Sequence, residues 1–259
     1  MPVLRIEKLS GGYGASDVIH DVSFDVEKKD FLGIIGPNGS GKSTLLRLIS
    51  RILSPAQGSI ALQEKDIHRI RLKDLFKEIA FVPQNTIIHF PYTVWEIVLM
   101  GRIPHLNRFR SETRKDFEIA ERSLALTDSL VLKDKRIDEL SAGERQRVLI
   151  SKALAQEPQV ILLDEPTSHL DIGHQIEILS LLRKLNRESG LTVLAVLHDL
   201  NLAGEYCNRL ILIDKGKIIR QGLPAEVLTY QTIEEVYKTV VVVKENPFSH
   251  KPYIILIPK

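Results

Sequence analysis

Residues 36–44 read Gly-Pro-Asn-Gly-Ser-Gly-Lys-Ser-Thr, and this stretch decides the fold. The apolar run 31–35 comes directly before it, and apolar residues follow it at helical spacing: Leu45, Leu48, Ile49 and Ile52. A strand, a glycine-rich turn and a helix in this order form the context that a phosphate-binding loop requires. Glycines let the backbone turn tightly and approach phosphate oxygens. The helix then directs its positive N-terminal end at the same anion.

The side chains of this segment, here called the phosphate loop, suit nucleotide chemistry. Lys42 can reach the β- and γ-phosphates, and the Ser43 hydroxyl can ligate Mg²⁺. We expect the whole loop to contribute to binding: Gly36, Pro37, Asn38, Gly39, Ser40, Gly41, Lys42, Ser43 and Thr44. The alternative is a surface turn with a solvated lysine.

Composition describes an ordinary globular chain. It has 259 residues, 44% of them hydrophobic, and a formal net charge of +2, so nothing in it points to a nucleic-acid partner. The single cysteine, Cys207, is typical of a reducing compartment. No apolar run approaches the ~20 residues that span a bilayer. If the protein works at a membrane, we expect it to act through another chain.

Periodicity divides the chain into an α/β core and a helical insertion. Strands are expected at 3–9, 18–26, 59–62 and 79–82, with a flexible turn at 11–14 between the first two. Helical spacing then dominates 93–101, 111–127 and 144–155. The α/β pattern resumes at residue 160. We therefore predict one domain, with its core at about 1–84 and 157–259 and a helical subdomain at about 85–156.

Helix 172–188 is expected to end at Gly190 and to bury a stripe of apolar side chains: Ile172, Ile176, Leu179, Leu182 and Leu185. Residues 86–100 are also crowded with apolar side chains: Ile87, Ile88, Phe90, Tyr92, Val94, Trp95, Ile97 and Leu99. Most of these must lie in the core. We expect the surplus to face outward as a groove for a helix of a partner.

Two acids follow the apolar run 160–163. The carboxyl end of a buried parallel strand is where α/β sheets place ligand chemistry. Asp164 is suited to hold Mg²⁺, directly or through water, and Glu165 is suited to orient and deprotonate an attacking water. The alternative is a loop with two solvated acids, which the presence of a phosphate loop makes the weaker interpretation.

A serine-glycine segment, residues 140–144, reads Leu-Ser-Ala-Gly-Glu before a helix. Ser141 with Glu144 three residues later is also a plain capping box, and that interpretation is physically sufficient by itself.

Taken together, these pieces resemble, in order, the ATP-binding subunit of ATP-binding-cassette (ABC) transporters. In that family residues 36–44 correspond to the Walker A loop, residues 140–144 to the signature loop, and residues 161–171 to Walker B followed by the D-loop. The resemblance covers nearly the whole chain. It implies an α/β P-loop NTPase (RecA-like) core with an N-terminal antiparallel β segment and an inserted helical subdomain.

The resemblance also assigns roles to residues. Tyr13 is implied to stack on adenine, Gln84 to meet both Mg²⁺ and the membrane partner, and His198 to act as the switch histidine. The signature residues Ser141, Ala142, Gly143 and Glu144, with Asp171 of the D-loop, are implied to face the nucleotide. Catalysis is implied for Lys42, Gln84, Glu165 and His198, and Mg²⁺ ligation for Ser43, Gln84 and Asp164.

The signature departs from the family's usual Leu-Ser-Gly-Gly-Gln at two positions. Ala142 adds a β-carbon, which would cost about 1 kcal/mol if the position required a positive φ. Glu144 brings a negative charge near a loop that is implied to face a phosphate. We expect its side chain to turn away and cap the helix.

Four further segments resemble one branch, the importers of iron–siderophore complexes, haem and vitamin B12. They are L-D-I-G-H-Q (170–175), H-D-L-N-L-A (198–203), G-R-I-P-H (101–105) and P-A-E-V-L-T (224–229). The branch implies ATP and Mg²⁺ as cofactors and a head-to-tail dimer with a second copy. It also implies integral membrane permease subunits, indirectly a substrate-binding protein, and a position on the cytoplasmic face of the inner membrane.

Three other functions stay open on the sequence. The first is an ABC ATPase for a metal ion, an oxyanion or an exported substrate. The second is a soluble cassette protein of DNA repair or translation, which usually has a coiled-coil insertion or two cassettes. The third is a P-loop kinase, which would not need the signature loop.

Overall fold

The computed structural model describes residues 1–14, 16–86, 88, 90–106 and 111–257. Its strands are β1 (Leu4–Tyr13), β2 (Ser16–Val26), β3 (Phe31–Ile35), β4 (Gln57–Leu62), β5 (Lys65–Asp66), β6 (Ile79–Val82), β7 (Val160–Asp164), β8 (Thr192–Val196), β9 (Arg209–Asp214), β10 (Lys217–Gly222), β11 (Val241–Glu245) and β12 (Pro252–Leu256). Its helices are α1 (Lys42–Ile49), α2 (Leu72–Glu78), α3 (Val94–Leu99), α4 (Arg114–Leu126), α5 (Ala142–Leu154), α6 (Ile172–Ser189), α7 (Leu200–Tyr206), α8 (Pro224–Val227) and α9 (Tyr230–Tyr237).

The chain divides into two compact units. The first consists of Met1–Arg69 and Thr192–Lys259, and the second of Ile70–Leu191. The segment expected to form the helical subdomain, residues 85–156, belongs to the second unit. Its bounds stay a prediction.

An antiparallel sheet at the start of the first unit has the strand order β2-β1-β4-β5. Leu4 of β1 lies opposite Val26 of β2 on one side and Leu62 of β4 on the other. The expected flexible turn at 11–14 is wrong in part, because β1 continues to Tyr13, which pairs with Ser16. The two glycines 11 and 12 continue the strand because a sheet partner supplies their hydrogen bonds.

Parallel strands lie beneath the phosphate loop in the same unit. Strand β3 runs between β8 and β9, with Gly33 opposite Ala195 and Leu210. Every residue of β3 and of β8 is buried. Burial on both faces explains why these strands read as continuous apolar runs.

In the second unit, β6 and β7 are parallel, with Phe81 opposite Leu162. Between them, residues 83–159 form helices and no strand in the part that the structure describes. The helices α3, α4 and α5 share one apolar core: Val94, Ile97, Val98, Ala120, Leu124, Leu132, Ile137, Leu140, Val148 and Ala155. Both units contain parallel strands and helices, as in a P-loop NTPase.

The apolar residues at 86–100 separate as expected into core and surface. Val94 and Ile97 are buried, and Tyr92 and Trp95 pack against the same core. Phe90 is 67% exposed. Ile87 lies outside the described residues.

Helix α6 departs from its expected stripe. Leu179, Leu182 and Leu185 are buried, but Ile172 and Ile176 are 74% and 44% exposed. The helical period identifies residues that share a face. How much of that face is covered depends on neighbouring elements, and the first two turns of this face remain uncovered.

A buried arginine in the G-R-I-P-H segment joins three parts of the second unit. The Arg102 side chain, 3% exposed, donates from Nε to Asp116 Oδ1 at 2.9 Å. Its Nη1 donates to the carbonyl of Ala155 at 2.6 Å and to Glu157 Oε2 at 3.0 Å. Asp116 also accepts from the backbone N–H and hydroxyl of Thr113 at the start of α4. The segment therefore anchors α4 and the C-terminal end of α5.

Replacement of Asp116 by Asn should lower the free energy of unfolding by about 2 kcal/mol at pH 7, because buried Arg102 would lose one of its two counter-ions and keep only Glu157. Burial raises the pKa of Asp116, but hydrogen bonds from Thr113 and Arg102 outweigh it and lower the pKa from 3.8 to about 2. The carboxylate therefore stabilises the fold fully above pH 4 and loses its effect as the pH falls towards 2.

Urea unfolding of the wild type and of Asp116→Asn at pH 7 and pH 3 measures the difference in their free energies of unfolding. This difference should be smaller at pH 3. Glu118→Gln, which removes an exposed pair with Arg114, is the control and should change the free energy of unfolding by less than ~0.5 kcal/mol. An equal loss in the two variants would contradict the prediction.

Candidate functional site

The phosphate loop takes the backbone shape that its glycines predict. Gly36, Gly39 and Gly41 have φ angles of 149°, 77° and 103°. A β-carbon on Gly36 would lie 2.0 Å from the carbonyl oxygen of Ile213. At Gly39, by contrast, a β-carbon would meet no atom within 4 Å. The loop therefore needs glycine at both positions for conformation, and at Gly36 also for space.

Lys42, the first residue of α1, turns back over the loop. Its Nζ donates to the carbonyl oxygens of Gly36 at 2.9 Å and Pro37 at 2.8 Å. The side chain is buried, with the residue 5% exposed. Ser40 has a buried hydroxyl oxygen with no hydrogen-bond partner among the described residues. A buried ammonium, an unsatisfied hydroxyl and a helix N-terminus fit an anion such as a nucleotide phosphate.

Tyr13 lies in the same unit at the end of β1, with 46% of its surface exposed. The Arg47 Nη1 donates to its hydroxyl at 2.6 Å, and the guanidinium carbon is 5.9 Å from the ring centroid. The contact fixes the ring and leaves nearly half of it open. Arg47 was not among the expected site residues. Its place one helical turn after Ser43 is the signal that could have identified it.

His198 also belongs to the first unit and follows strand β8 by two residues. It is exposed, whereas Leu197 before it is 1% exposed. Asp199 caps α7 by accepting from the N–H groups of Asn201 and Leu202 at 2.8 and 2.9 Å. The cap fixes the direction in which the chain leaves His198.

The second unit brings together the two acids at the carboxyl end of β7 and the glutamine after β6. Asp164 is the last residue of β7 and is 2% exposed. Glu165 follows with a φ of 52°, a conformation that strains any residue other than glycine by about 1 kcal/mol. Gln84 Nε2 donates to Glu165 Oε2. The amide oxygen of Gln84 is thereby directed away from the carboxylate.

The segment at 140–144 confirms the expected cap. Ser141 Oγ accepts from the Glu144 N–H at 3.3 Å, and Glu144 Oε2 accepts from the Ser141 N–H at 2.9 Å. The hydrogen bonds with Ser141 lower the pKa of Glu144. Ala142 is the first residue of α5 and is not among the residues with positive φ, so its β-carbon costs no strain.

Asp171 caps α6 in the same unit. Its Oδ1 accepts from the His174 N–H, and its Oδ2 is 2.9 Å from His174 Nδ1. The backbone N–H and ring of His174 lower the pKa of Asp171. His174 was not among the expected site residues, although it stands in the L-D-I-G-H-Q segment.

The described helices include none with both the length and the apolar character required to cross a bilayer.

Comparison with known proteins is consistent with this geometry. A family model described as "ABC transporter" matches residues 19–168. The ferric enterobactin transport ATP-binding protein FepC of Escherichia coli (strain K12) is 41% identical over 252 residues, which cover 97% of this chain and 93% of that protein.

Two solved structures are also similar. A structure described as an inward-facing conformation of a metal-chelate type ABC transporter aligns with a TM-score of 0.88 and 32% identity, over 99% of this chain and 98% of that one. The ATP-binding cassette MJ0796, a dimer bound to ADP and Pi, aligns with a TM-score of 0.73 and 29% identity, over 85% of this chain and 98% of that one.

The fold and the phosphate loop define a P-loop ATPase. The chain belongs to the ABC transporter family, as an ATP-binding subunit that hydrolyses ATP to drive transport. Among the functions considered from the sequence, a P-loop kinase is thereby excluded.

Gly36→Ala and Gly39→Ala form a matched pair of loop variants. Gly36→Ala should lower the free energy of unfolding by about 3 kcal/mol, because its β-carbon would overlap a backbone oxygen that cannot rotate away. Gly39→Ala should cost only about 1 kcal/mol, since strain in φ is its sole penalty. Urea unfolding without nucleotide measures both. Equal losses would contradict the steric argument.

Proposed function

We propose that this chain is the ATP-hydrolysing subunit of an importer for an iron chelate, most simply a ferric siderophore. The observation that carries the proposal is the 41% identity to a ferric enterobactin transport subunit over 97% of this chain. Haem and cobalamin importers are the alternatives within the same branch. An ABC ATPase for a metal ion, an oxyanion or export is the second candidate.

The phosphate loop, with all nine residues 36–44, would hold the triphosphate of ATP. Lys42 would exchange its bonds to the Gly36 and Pro37 carbonyls for bonds to phosphate oxygens. The exchange costs little, because a neutral hydrogen bond contributes only about 1 kcal/mol net and is replaced by a charge-assisted one. Tyr13, which is 46% exposed, would stack on the adenine.

Ser43, Gln84 and Asp164 supply a hydroxyl, an amide oxygen and a carboxylate, which are the oxygen ligands that Mg²⁺ prefers. When bound, Mg²⁺ would neutralise charge on the β- and γ-phosphates as it develops during transfer. The orientation of Gln84 supports this assignment, because its nitrogen donates to Glu165 and its oxygen points elsewhere.

Glu165 would orient the attacking water and accept its proton. Its backbone strain supports a functional role, since strained residues cluster at active sites. The contact with Gln84 engages one carboxylate oxygen before nucleotide binds. His198 would contact the γ-phosphate from its exposed position after β8.

The remaining residues would act on the nucleotide of a second copy. Ser141, Ala142, Gly143 and Glu144, with Asp171, would face the phosphates held by the partner's loop. Ser141 uses its oxygen to accept from Glu144, so its hydroxyl proton can still be donated. Closure of the two copies would complete charge stabilisation, so hydrolysis would depend on it. The similar cassette MJ0796 forms a dimer bound to ADP and Pi, which supports a dimer here.

Glu165→Gln should retain Mg-ATP binding, because the residue does not hold the phosphates, and should lower the steady-state ATPase rate at least ~100-fold. Isothermal titration with Mg-ATP and phosphate release measure the two effects. An ATPase rate near that of the wild type would contradict the role of Glu165.

A transport assay tests whether the imported substrate is a ferric siderophore. The wild-type chain, reconstituted with its permease and binding protein in proteoliposomes, should import a ferric siderophore in preference to haem or cobalamin. The Glu165→Gln complex should import none of them. Preferential uptake of haem or cobalamin would replace the proposed substrate and retain the ATPase mechanism.

A cavity of about 480 Å³ in the second unit supports a permease-docking role. It is lined by Asn85, Thr86, Ile88, Ile137, Asp138 and Arg145. Its apolar and charged walls suit the side chains of an amphipathic helix. Arg145 Nε is buried without a hydrogen-bond partner among the described residues, so it can serve an acceptor on the partner. Docking there would hold the chain on the cytoplasmic face of the inner membrane.

Ile88→Asp should release the chain from its permease, because a carboxylate would be buried against an apolar helix face. Mg-ATP binding should survive, since the cavity is separate from the phosphate loop. Co-purification with the tagged permease from detergent measures assembly. Val131→Asp, at an 89% exposed apolar residue that does not line the cavity, is the control and should assemble normally. Normal assembly of Ile88→Asp would contradict the docking site.

A further inference from the structure

His174 connects two functional segments of the second unit. It lies on the first turn of α6, three residues after Asp171, and both carboxylate oxygens of Asp171 engage it. Oδ1 accepts from its backbone N–H, and Oδ2 lies 2.9 Å from Nδ1 of the ring. The ring is therefore held in one orientation by the residue that caps the helix.

The same ring covers the glycine of the segment at 140–144. A β-carbon on Gly143 would lie 2.4 Å from His174 Cδ2 and 3.1 Å from its Nε2. The ring therefore occupies the space beside the Gly143 backbone. Gly143 is buried, whereas its neighbours Ser141 and Ala142 are exposed. The two exposed residues thus stand at the edge of a contact between glycine and ring.

The next contact between α5 and α6 is weaker. Arg147 Nη1 donates to Glu177 Oε2 at 3.1 Å, about one turn further along both helices. The side chains are 23% and 58% exposed, and a pair in such a position contributes less than about 1 kcal/mol. The contact between the His174 ring and Gly143 is thus the stronger of the two, and it lies at the N-terminal end of α5, within the signature segment 140–144.

We propose that His174 is a positioning residue that fixes the signature segment 140–144 against the Asp171 turn, so that both reach the nucleotide of the partner copy as one body. The inference rests on the proposed function, which places these two segments at that nucleotide. His174 itself touches no phosphate in this scheme. It acts through Gly143 on one side and Asp171 on the other.

The physical consequence concerns turnover rather than binding. ATP binds first to the phosphate loop, which does not involve His174. Without the ring, the space above Gly143 opens and the segment no longer has a fixed position relative to Asp171. Misplacement of about 1 Å at a reacting centre can cost up to ~100-fold in rate. Loss of the ring therefore lowers kcat and leaves the KM for ATP unchanged.

Three variants separate the two contacts of His174. His174→Ala removes both, His174→Phe keeps a ring over Gly143, and His174→Asn keeps a donor for Asp171 without a ring. We expect kcat to fall about tenfold in the Ala and Asn variants and to recover to within about threefold of wild type with Phe, at a KM for ATP within twofold throughout. Glu177→Gln, which breaks the neighbouring pair, is the matched control and should keep wild-type kcat.

The kcat and KM of each variant are measured by steady-state ATPase kinetics of the assembled complex. Thermal unfolding of each variant gives its stability. A kcat for His174→Ala within twofold of wild type overturns the inference. So does an equal loss in the Ala and Phe variants, or a loss that merely follows a lower unfolding temperature.

ATP-dependent dimerisation distinguishes this inference from the proposed function. Glu165→Gln protein with saturating Mg-ATP should form a dimer in size-exclusion chromatography, and adding His174→Ala should raise the protein concentration needed for half dimerisation about tenfold. If Glu165→Gln alone stays monomeric, the proposed dimer fails. If the double variant dimerises at the same protein concentration as Glu165→Gln, only the role of His174 fails.

Discussion

Gly36 leaves strand β3 at a φ of 149° and passes so close to strand β9 that a β-carbon would lie 2.0 Å from the Ile213 carbonyl oxygen. This close approach sets the path of the phosphate loop. It brings the carbonyls of Gly36 and Pro37 within reach of the Lys42 ammonium and starts α1 at the end of the loop. The path of the phosphate loop thus depends on Gly36, where the backbone of β9 leaves no room for a side chain.

The polar groups of both units are held by bonds that a ligand can replace. Lys42 rests on two carbonyls of its own loop, and Gln84 rests on Glu165. Each of these hydrogen bonds contributes a net stabilisation of about 1 kcal/mol. A nucleotide with its cation offers stronger, charge-assisted partners to the same atoms. In each unit these groups are thus held in place and remain able to bind a ligand.

The two departures in the signature segment have a simple structural basis. Ala142 and Glu144 lie in the first turn of α5, where alanine is a good helix former and glutamate completes a capping box with Ser141. The sequence predicted this cap because it depends on residues three apart. It did not predict that His174 would cover Gly143, since the two are 31 positions apart in the chain. Local chemistry is readable from spacing, whereas contact between helices is not.

Other elements also separate into those that local sequence predicts and those that contacts between distant segments decide. Strands β3 and β7 were predicted because burial on both faces makes them continuously apolar. The phosphate loop was predicted because its glycines specify its backbone. The expected turn at 11–14 was wrong because sheet pairing with Ser16 extends β1 to Tyr13. The expected stripe on α6 was wrong at Ile172 and Ile176, which are 74% and 44% exposed.

The sequence by itself therefore determined the class of fold, the phosphate loop, the two acids at the end of β7 and the helix cap in the signature segment. Each of these is encoded within a few consecutive residues by backbone freedom, helix capping or alternation of polarity. Only the tertiary structure decided which glycines lack space, which carbonyls Lys42 contacts, and which buried partners surround Arg102. These properties depend on atoms brought together from distant parts of the chain, and no local pattern records them.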